Sequence, residues 1–166
     1  MRNGVASDGQ AVRDGFNWTH DETDYLLTYS DENCFTASQE ADFLQRKTDS
    51  ANNVEIIAIV DGVVAGTAGI DALGMRDKIK HRAVFGIAIT KEFWGLGIGK
   101  YLMEACIECA REAGYLQLEL EVVAENERAV EMYRRAGFIE YGRNPKAFRL
   151  RTGEYQELID MRLELK

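Results

Sequence analysis

The stretch AVFGIAITKEFWGLGIGK, residues 83–100, decides the fold. Its first half, Ala83 to Thr90, is apolar and rich in strand formers, and reads as a β-strand. From Ile98 onward the apolar residues Ile98, Leu102, Ala105, Cys106, Cys109 and Ala113 recur at intervals of three or four, and Gly114 can take the left-handed conformation that stops a helix. Between strand and helix stands Trp94-Gly95-Leu96-Gly97-Ile98-Gly99-Lys100. A chain turning from a strand into a helix presents unpaired backbone N–H groups to an anion. Glycine helps twice there, by reaching positive φ and by letting phosphate oxygens approach the backbone. The spacing argues against two nucleotide-binding folds. A Gly-x-Gly-x-x-Gly fingerprint fails in both registers, because Lys100 or Leu102 stands where the last glycine belongs. A Gly-x-x-x-x-Gly-Lys-Ser/Thr loop fails at Trp94 and again at Tyr101. On the loop alone, an ordinary tight turn packed with glycines is the competing reading.

Downstream, Leu116, Leu118, Leu120 and Val122 alternate with Gln117, Glu119 and Glu121, a period of two that puts the four apolar side chains on one face of a strand over Tyr115 to Val123. Asn126 is a natural N-cap for a short helix to about Ala136, which Gly137-Phe138 closes. Thr152-Gly153 marks a turn, and Ile159, Met161, Leu163 and Leu165 alternate in closing strands. Upstream, the β-branched runs Val54 to Val60 and Val63 to Ala72 flank Asp61-Gly62, which predicts an antiparallel hairpin on a type I′ turn. Helices are expected from Ser7-Asp8 to about Trp18 and from Ser38 to about Lys47. With no repeat or linker, 166 residues suit one domain over residues 1–166.

Apolar residues at 46% and charged residues at 29% match average globular usage, which argues against a disordered or fibrous chain. The apolar runs are too short for a membrane helix and the N-terminus carries no signal-peptide block, so a cytoplasmic address is expected, with no membrane partner. Three cysteines, Cys34, Cys106 and Cys109, make an odd count for a disulfide framework and are expected reduced. Cys106 and Cys109 form a C-x-x-C inside the expected helix without a second pair, so no metal is expected. A net charge of −8 speaks against a nucleic-acid partner and suits a cationic one. The acidic residues Asp21, Glu22, Asp24, Asp31 and Glu32 could draw such a partner to the site, or form a solvated surface.

The loop, the helix after it, the alternating strand and NERAVEMYRRAGF (residues 126–138) together resemble the Gcn5-related N-acetyltransferase (GNAT) family. The family carries Gln/Arg-x-x-Gly-x-Gly/Ala, which falls on Trp94 to Gly99 with Trp94 in place of Gln or Arg, and Asn-x-x-Ala-x-x-x-Tyr-x-x-x-Gly-Phe, matched throughout by Asn126 to Phe138. The resemblance implies an α/β fold, a mixed and mostly antiparallel sheet with helices on both faces. It implies acetyl-CoA as cosubstrate and an amine as acceptor, either a small molecule or a protein N-terminus or lysine. It leaves a homodimer open. The implied cofactor contacts are the backbone of Ile87, Ala88 and Ile89, the loop residues Gly95, Leu96, Gly97, Ile98, Gly99 and Lys100, and Asn126 and Tyr133. The strand Tyr115 to Val123 would splay from Ala83 to Thr90 to admit the pantetheine arm.

Acetyl transfer to an amine needs a proton removed from the amine, an oxyanion stabilised and a thiolate neutralised. Tyr133 matches the family's general acid, and a phenol of pKa about 10 stays protonated at neutral pH. The alternative is a Tyr packed on the apolar face of a short helix. A backbone N–H near Ile89 would meet the oxyanion. His81, at the head of the strand where some members carry a glutamate, has the pKa of a base, and Glu119 or Glu121 could serve directly or through water. A solvated His81 between Lys80 and Arg82, and solvent-facing strand carboxylates, are the plainer readings. A protein of this fold that binds CoA without catalysis is the alternative function.

Overall fold

The computed structural model describes residues 1–166. Its strands are β1 (Arg2–Asn3), β2 (Val54–Val60), β3 (Val63–Ala72), β4 (Arg82–Ile89), β5 (Gln117–Val123), β6 (Ile139–Arg149) and β7 (Tyr155–Glu164). They form one sheet in the order β1-β2-β3-β4-β5-β7-β6. Every neighbouring pair is antiparallel except β4 with β5. The helices are α1 (Gly9–Asp21), α2 (Ala37–Thr48), α3 (Ile98–Glu112) and α4 (Glu127–Arg135).

Local chemistry sets the element ends. Asp61 and Gly62 have φ of 49° and 84°, both positive as a type I′ turn requires, so β2 and β3 close into the expected hairpin. Thr36 accepts from Gln39 N–H at 3.2 Å while Gln39 Oε1 accepts from Thr36 N–H at 2.8 Å, a reciprocal cap that starts α2. Asn126 Oδ1 accepts from Ala129 N–H at 3.3 Å and starts α4.

Alternation along the strands assigns the two faces. Ile56, Ala58, Ala68, Ile70, Phe85, Leu118 and Leu120 pack under α3 and α4 against Leu102, Cys106, Val130 and Tyr133 in the main core. Ile57 faces the other way and meets Val12 of α1 and Leu44 of α2 in a smaller cluster. Helices thus cover both faces, as expected. Cutting a side chain such as Leu118, fully buried, to alanine removes about 2–5 kcal/mol of stability.

The chain departs from the sequence reading in three places. Helix α1 continues to Asp21. β5 begins at Gln117, and Leu116 is exposed instead of sharing the buried face, while its neighbour Tyr115 is buried with its hydroxyl donating to Asn52 C=O at 3.0 Å. β1, two residues long, carries no periodicity that could announce it.

One irregularity positions the site. β4 and β5 pair only from Arg82↔Gln117 to Val84↔Glu119. Beyond Val84 the strand β5 stays with β7 as far as Val123, so the outer edge of β4 toward Ile89 faces a gap.

Candidate active site

The backbone groups that face this gap make it usable. Thr90 N–H donates to Ala65 C=O at 3.0 Å on the β3 side. Backbone groups alternate along a strand, so those of Ile87 and Ile89 turn to the opposite edge, where β5 has splayed away. The Ile89 carbonyl accepts from Trp94 Nε1 at 2.7 Å. Its N–H is left directed into the gap.

Trp94 therefore anchors the glycine loop to the end of β4. The loop then passes Gly95 at φ 88° and Gly97 at φ 80°, a region that costs an L side chain roughly 1–2 kcal/mol. Gly99 has a different duty: a Cβ there would come to 3.0 Å from Ile89 Cδ1 and 3.3 Å from Met132 Sδ, so its absence lets α3 close on β4 and α4. No side chain caps the start of α3, and its first N–H groups and positive dipole end are free to meet an anion. Arg128, from the first turn of α4, lays its guanidinium 5.6 Å from the Trp94 ring centroid. Lys100 Nζ lies 3.7 Å from Glu104 one helical turn on.

Tyr133 projects from α4 into the same place. Its ring meets Phe85 edge-on at 6.2 Å and Phe138 at 5.8 Å. Burial alone pushes its phenol well above the ordinary range, so the hydroxyl keeps its proton.

A cavity of about 760 Å³ draws these groups together. Ile87 to Ile89, Gly95, Gly97 to Lys100, Asn126 and Tyr133 all line it. Leu96 is the exception among the loop candidates: its side chain is exposed to solvent. Arg128 lines the cavity too. The sequence reading did not single it out, though its place two residues after Asn126, combined with a Trp where the family loop carries Gln or Arg, was the available signal.

The candidate bases sit elsewhere. His81 precedes β4 at the end opposite Ile89, roughly 26 Å away at the rise of a strand, and its carbonyl accepts from Leu116 and Gln117 N–H. Glu119 faces Arg82 in a two-pronged ion pair of 2.5 and 2.7 Å. Arg82 holds its carboxyl below the usual range, against the opposing effect of burial. This pair clasps β4 to β5 at the point where they part. Neither residue lines the cavity, and both tasks given to them on sequence grounds lack geometry.

The acidic residues after α1 are mostly engaged. Asp31 pairs with Arg151 at 2.7 Å, Asp21 accepts from Ser30 Oγ, Glu22 accepts from Lys91 N–H at 2.7 Å and Glu32 from Tyr29 N–H at 2.8 Å. They fold the loop after α1 over the sheet. Cys106 is a core residue whose thiol burial pushes up to about 12.

The model of the acetyltransferase (GNAT) family matches residues 16–138. The L-amino acid N-acetyltransferase AaaT of Escherichia coli K12 is 32% identical over 118 residues, 70% of this chain and 72% of that protein. The crystal structure of a GNAT-family acetyltransferase from Streptococcus pneumoniae is similar at a TM-score of 0.93 and 27% identity, over 98% of this chain and 97% of that one. A Salmonella typhimurium structure solved with its cofactor acetyl-CoA shares the fold at a TM-score of 0.87 and 17% identity, over 99% of this chain and 92% of that one. The matched span takes in the outward edge of β4, the glycine loop and Tyr133, and the chain belongs to the GNAT acetyltransferase family.

Proposed function

We propose that residues 1–166 form one N-acetyltransferase domain that moves the acetyl group of acetyl-CoA directly to a primary amine within a ternary complex. One observation carries the reading: the outward edge at Ile87–Ile89, the loop residues Gly95 and Gly97 to Lys100, and Tyr133 line a single cavity. The pyrophosphate lies on those amides and the start of α3, and Arg128 supplies the side-chain cation that Trp94 cannot. The pantetheine arm adds to β4 as an extra strand, bonding the outward groups of Ile87, with Asn126 Nδ2 beside it.

The thioester carbonyl then faces the Ile89 N–H. A neutral amine attacks its carbon, a C–N bond forms, and the charge on oxygen is met by that fixed donor, which needs no reorganisation. The C–S bond breaks and the departing thiolate takes the Tyr133 proton. The amine's surplus proton leaves to water, and solvent restores the phenol. No helix is long and apolar enough to cross a membrane.

Titration calorimetry with acetyl-CoA tests the reading. Absence of both heat and a thermal shift at millimolar ligand removes it. Tyr133→Phe lowers turnover by roughly 10- to 1000-fold with cofactor affinity nearly unchanged; equal turnover rejects the acid role. Binding of CoA with no acetylated product across an amine panel would make the protein a CoA-binding module instead.

A further inference from the structure

A second cavity, of about 590 Å³, lies on the other side of β4, between the sheet and helices α1 and α2. It meets the first: Thr19, Leu26, Ile87 and Ala88 line both. An amine there has access to the thioester past the end of β4.

Two glycines paired across β3 and β4, Gly69 and Gly86, shape its floor. A Cβ on Gly86 would touch nothing within 4 Å, so the space above it is open. A Cβ on Gly69 would collide with the carboxylate of Glu55. Glu55 pairs with Gly69 from β2, and the missing side chain lets its carboxylate lie across β3.

The charge of the lining is one-sided. Glu32, Glu40, Glu55 and Asp71 line the cavity, with no lysine or arginine. His20 also lines it, but burial lowers its pKa and its Nδ1 lies 2.7 Å from Phe16 C=O. Lys47, behind the wall, puts its ammonium 2.5 Å from Asp71 and 3.9 Å from Glu55. That single cation leaves the group of Glu40, Glu55 and Asp71 short of positive charge. Glu40 is 7% exposed and takes part in no side-chain hydrogen bond or ion pair. At the far end, beside Ile89, Thr90 is 6% exposed and its Oγ1 has no partner. Buried polar groups are ordinarily paired. Here the unpaired Thr90 hydroxyl and the Glu40 carboxylate, free of side-chain partners, mark opposite ends of a trough whose walls include Val12, Phe16 and Val64. Ala65, beside Thr90, and Gly69, beside Glu55, are four residues apart on β3, roughly 13 Å.

We propose that this cavity is the acceptor site and takes an elongated amine with a second cationic group, a long diamine or polyamine. The far ammonium sits between Glu40 and Glu55, and the near nitrogen meets Thr90 on its way to the thioester. This rests on the acetyl-transfer reading above. An amino-acid acceptor would bring a carboxylate among four others with no lining cation to receive it.

The test compares spermidine, octylamine and free leucine, after acetyl-CoA binding has been measured separately. Failure to bind acetyl-CoA counts against the acetyl-transfer reading alone, because direct binding of the amines by calorimetry needs no turnover. The expected kcat/KM for spermidine exceeds that for octylamine by at least about tenfold, and leucine is poorer still. Glu40→Gln and Glu55→Gln each collapse that ratio. Leucine or octylamine matching spermidine, in turnover or in direct binding, overturns the proposal. So does an undiminished ratio in both variants when their melting curves show folded protein. If either variant fails to fold, the three-amine comparison on the unmodified protein decides.

Discussion

The two sides of β4 are built on different principles. On the proposed cofactor side, the recognition we infer rests on main chain: outward amides at Ile87 and Ile89, glycines at positive φ, and the start of α3. On the acceptor side it rests on side chains drawn from α2, β2 and β3, namely Glu40, Glu55 and Asp71. Main-chain recognition needs a backbone path, and a path is fixed by a few residues close together in sequence. Side-chain recognition needs only that distant residues converge, so nothing local restrains it. A cosubstrate site made in the first way resists change, whereas an acceptor site made in the second way is free to vary.

The comparison breaks first if the cofactor side proves insensitive to its backbone. Gly97 precedes α3 at φ 80° with the Tyr101 ring 3.6 Å from where a Cβ would stand. Gly97→Val forces a β-branched residue out of that conformation and turns the amides aside. Acetyl-CoA affinity should fall on the order of 100-fold by calorimetry, as two or three charge-assisted hydrogen bonds are lost. Arg128→Ala should weaken the same binding by about tenfold, with a shallower dependence on salt, because one cation over the phosphates is lost. An unchanged affinity would mean that backbone amides alone suffice.

This asymmetry also governs what could be read from the sequence. The glycine loop spans seven residues, Trp94 to Lys100, and the second segment thirteen, Asn126 to Phe138, so strand, turn and helix were legible from spacing, and the role of the tyrosine from the family resemblance. The hairpin was legible because Asp61-Gly62 demands one turn type. His81 and Glu119 were misjudged as to place. Sequence fixes that they lie near the same two strands, but the parallel register puts Glu119 opposite Val84, at the closed end of the splay and bound to Arg82. Glu55 shows the converse. A carboxylate inside the apolar run Val54 to Val60 is visible, yet its meaning comes from Gly69 and Lys47, which only the sheet register and helix packing bring to it.

A third substitution sets the same residue type to a different use. Gly86 has an ordinary negative or extended φ and open space above it. Gly86→Ala should therefore leave the fold intact, or stabilise it by about 0.4–1 kcal/mol through the unfolded chain. The added methyl fills the acceptor cavity, and KM for the preferred amine should rise about fivefold. A lower melting temperature would show that Gly86 serves packing, and the two sides of β4 would then differ less than argued.

The last comparison is the sharpest, because it separates stability from function. Burial in the cavity wall pushes the Glu55 carboxyl up from 4.5 to about 7, with Asp71 and Glu40 adding to the rise and Lys47 and the Thr67 hydroxyl opposing it. A carboxyl raised on folding binds its proton more tightly in the native state. Stability therefore declines as pH climbs from about 4.5 through about 7, the reverse of an ordinary paired carboxylate. Glu55→Gln removes that decline while Lys47 keeps Asp71 at 2.5 Å and Ile70 C=O at 3.2 Å. The variant and the unmodified protein should melt alike near pH 4, and the variant should melt several degrees higher at pH 8. All other carboxylates are common to both proteins and cancel in the difference. If the gap instead widens toward acid, Glu55 is a stabilising partner of Lys47 and not a charge held at a cost for a cationic acceptor.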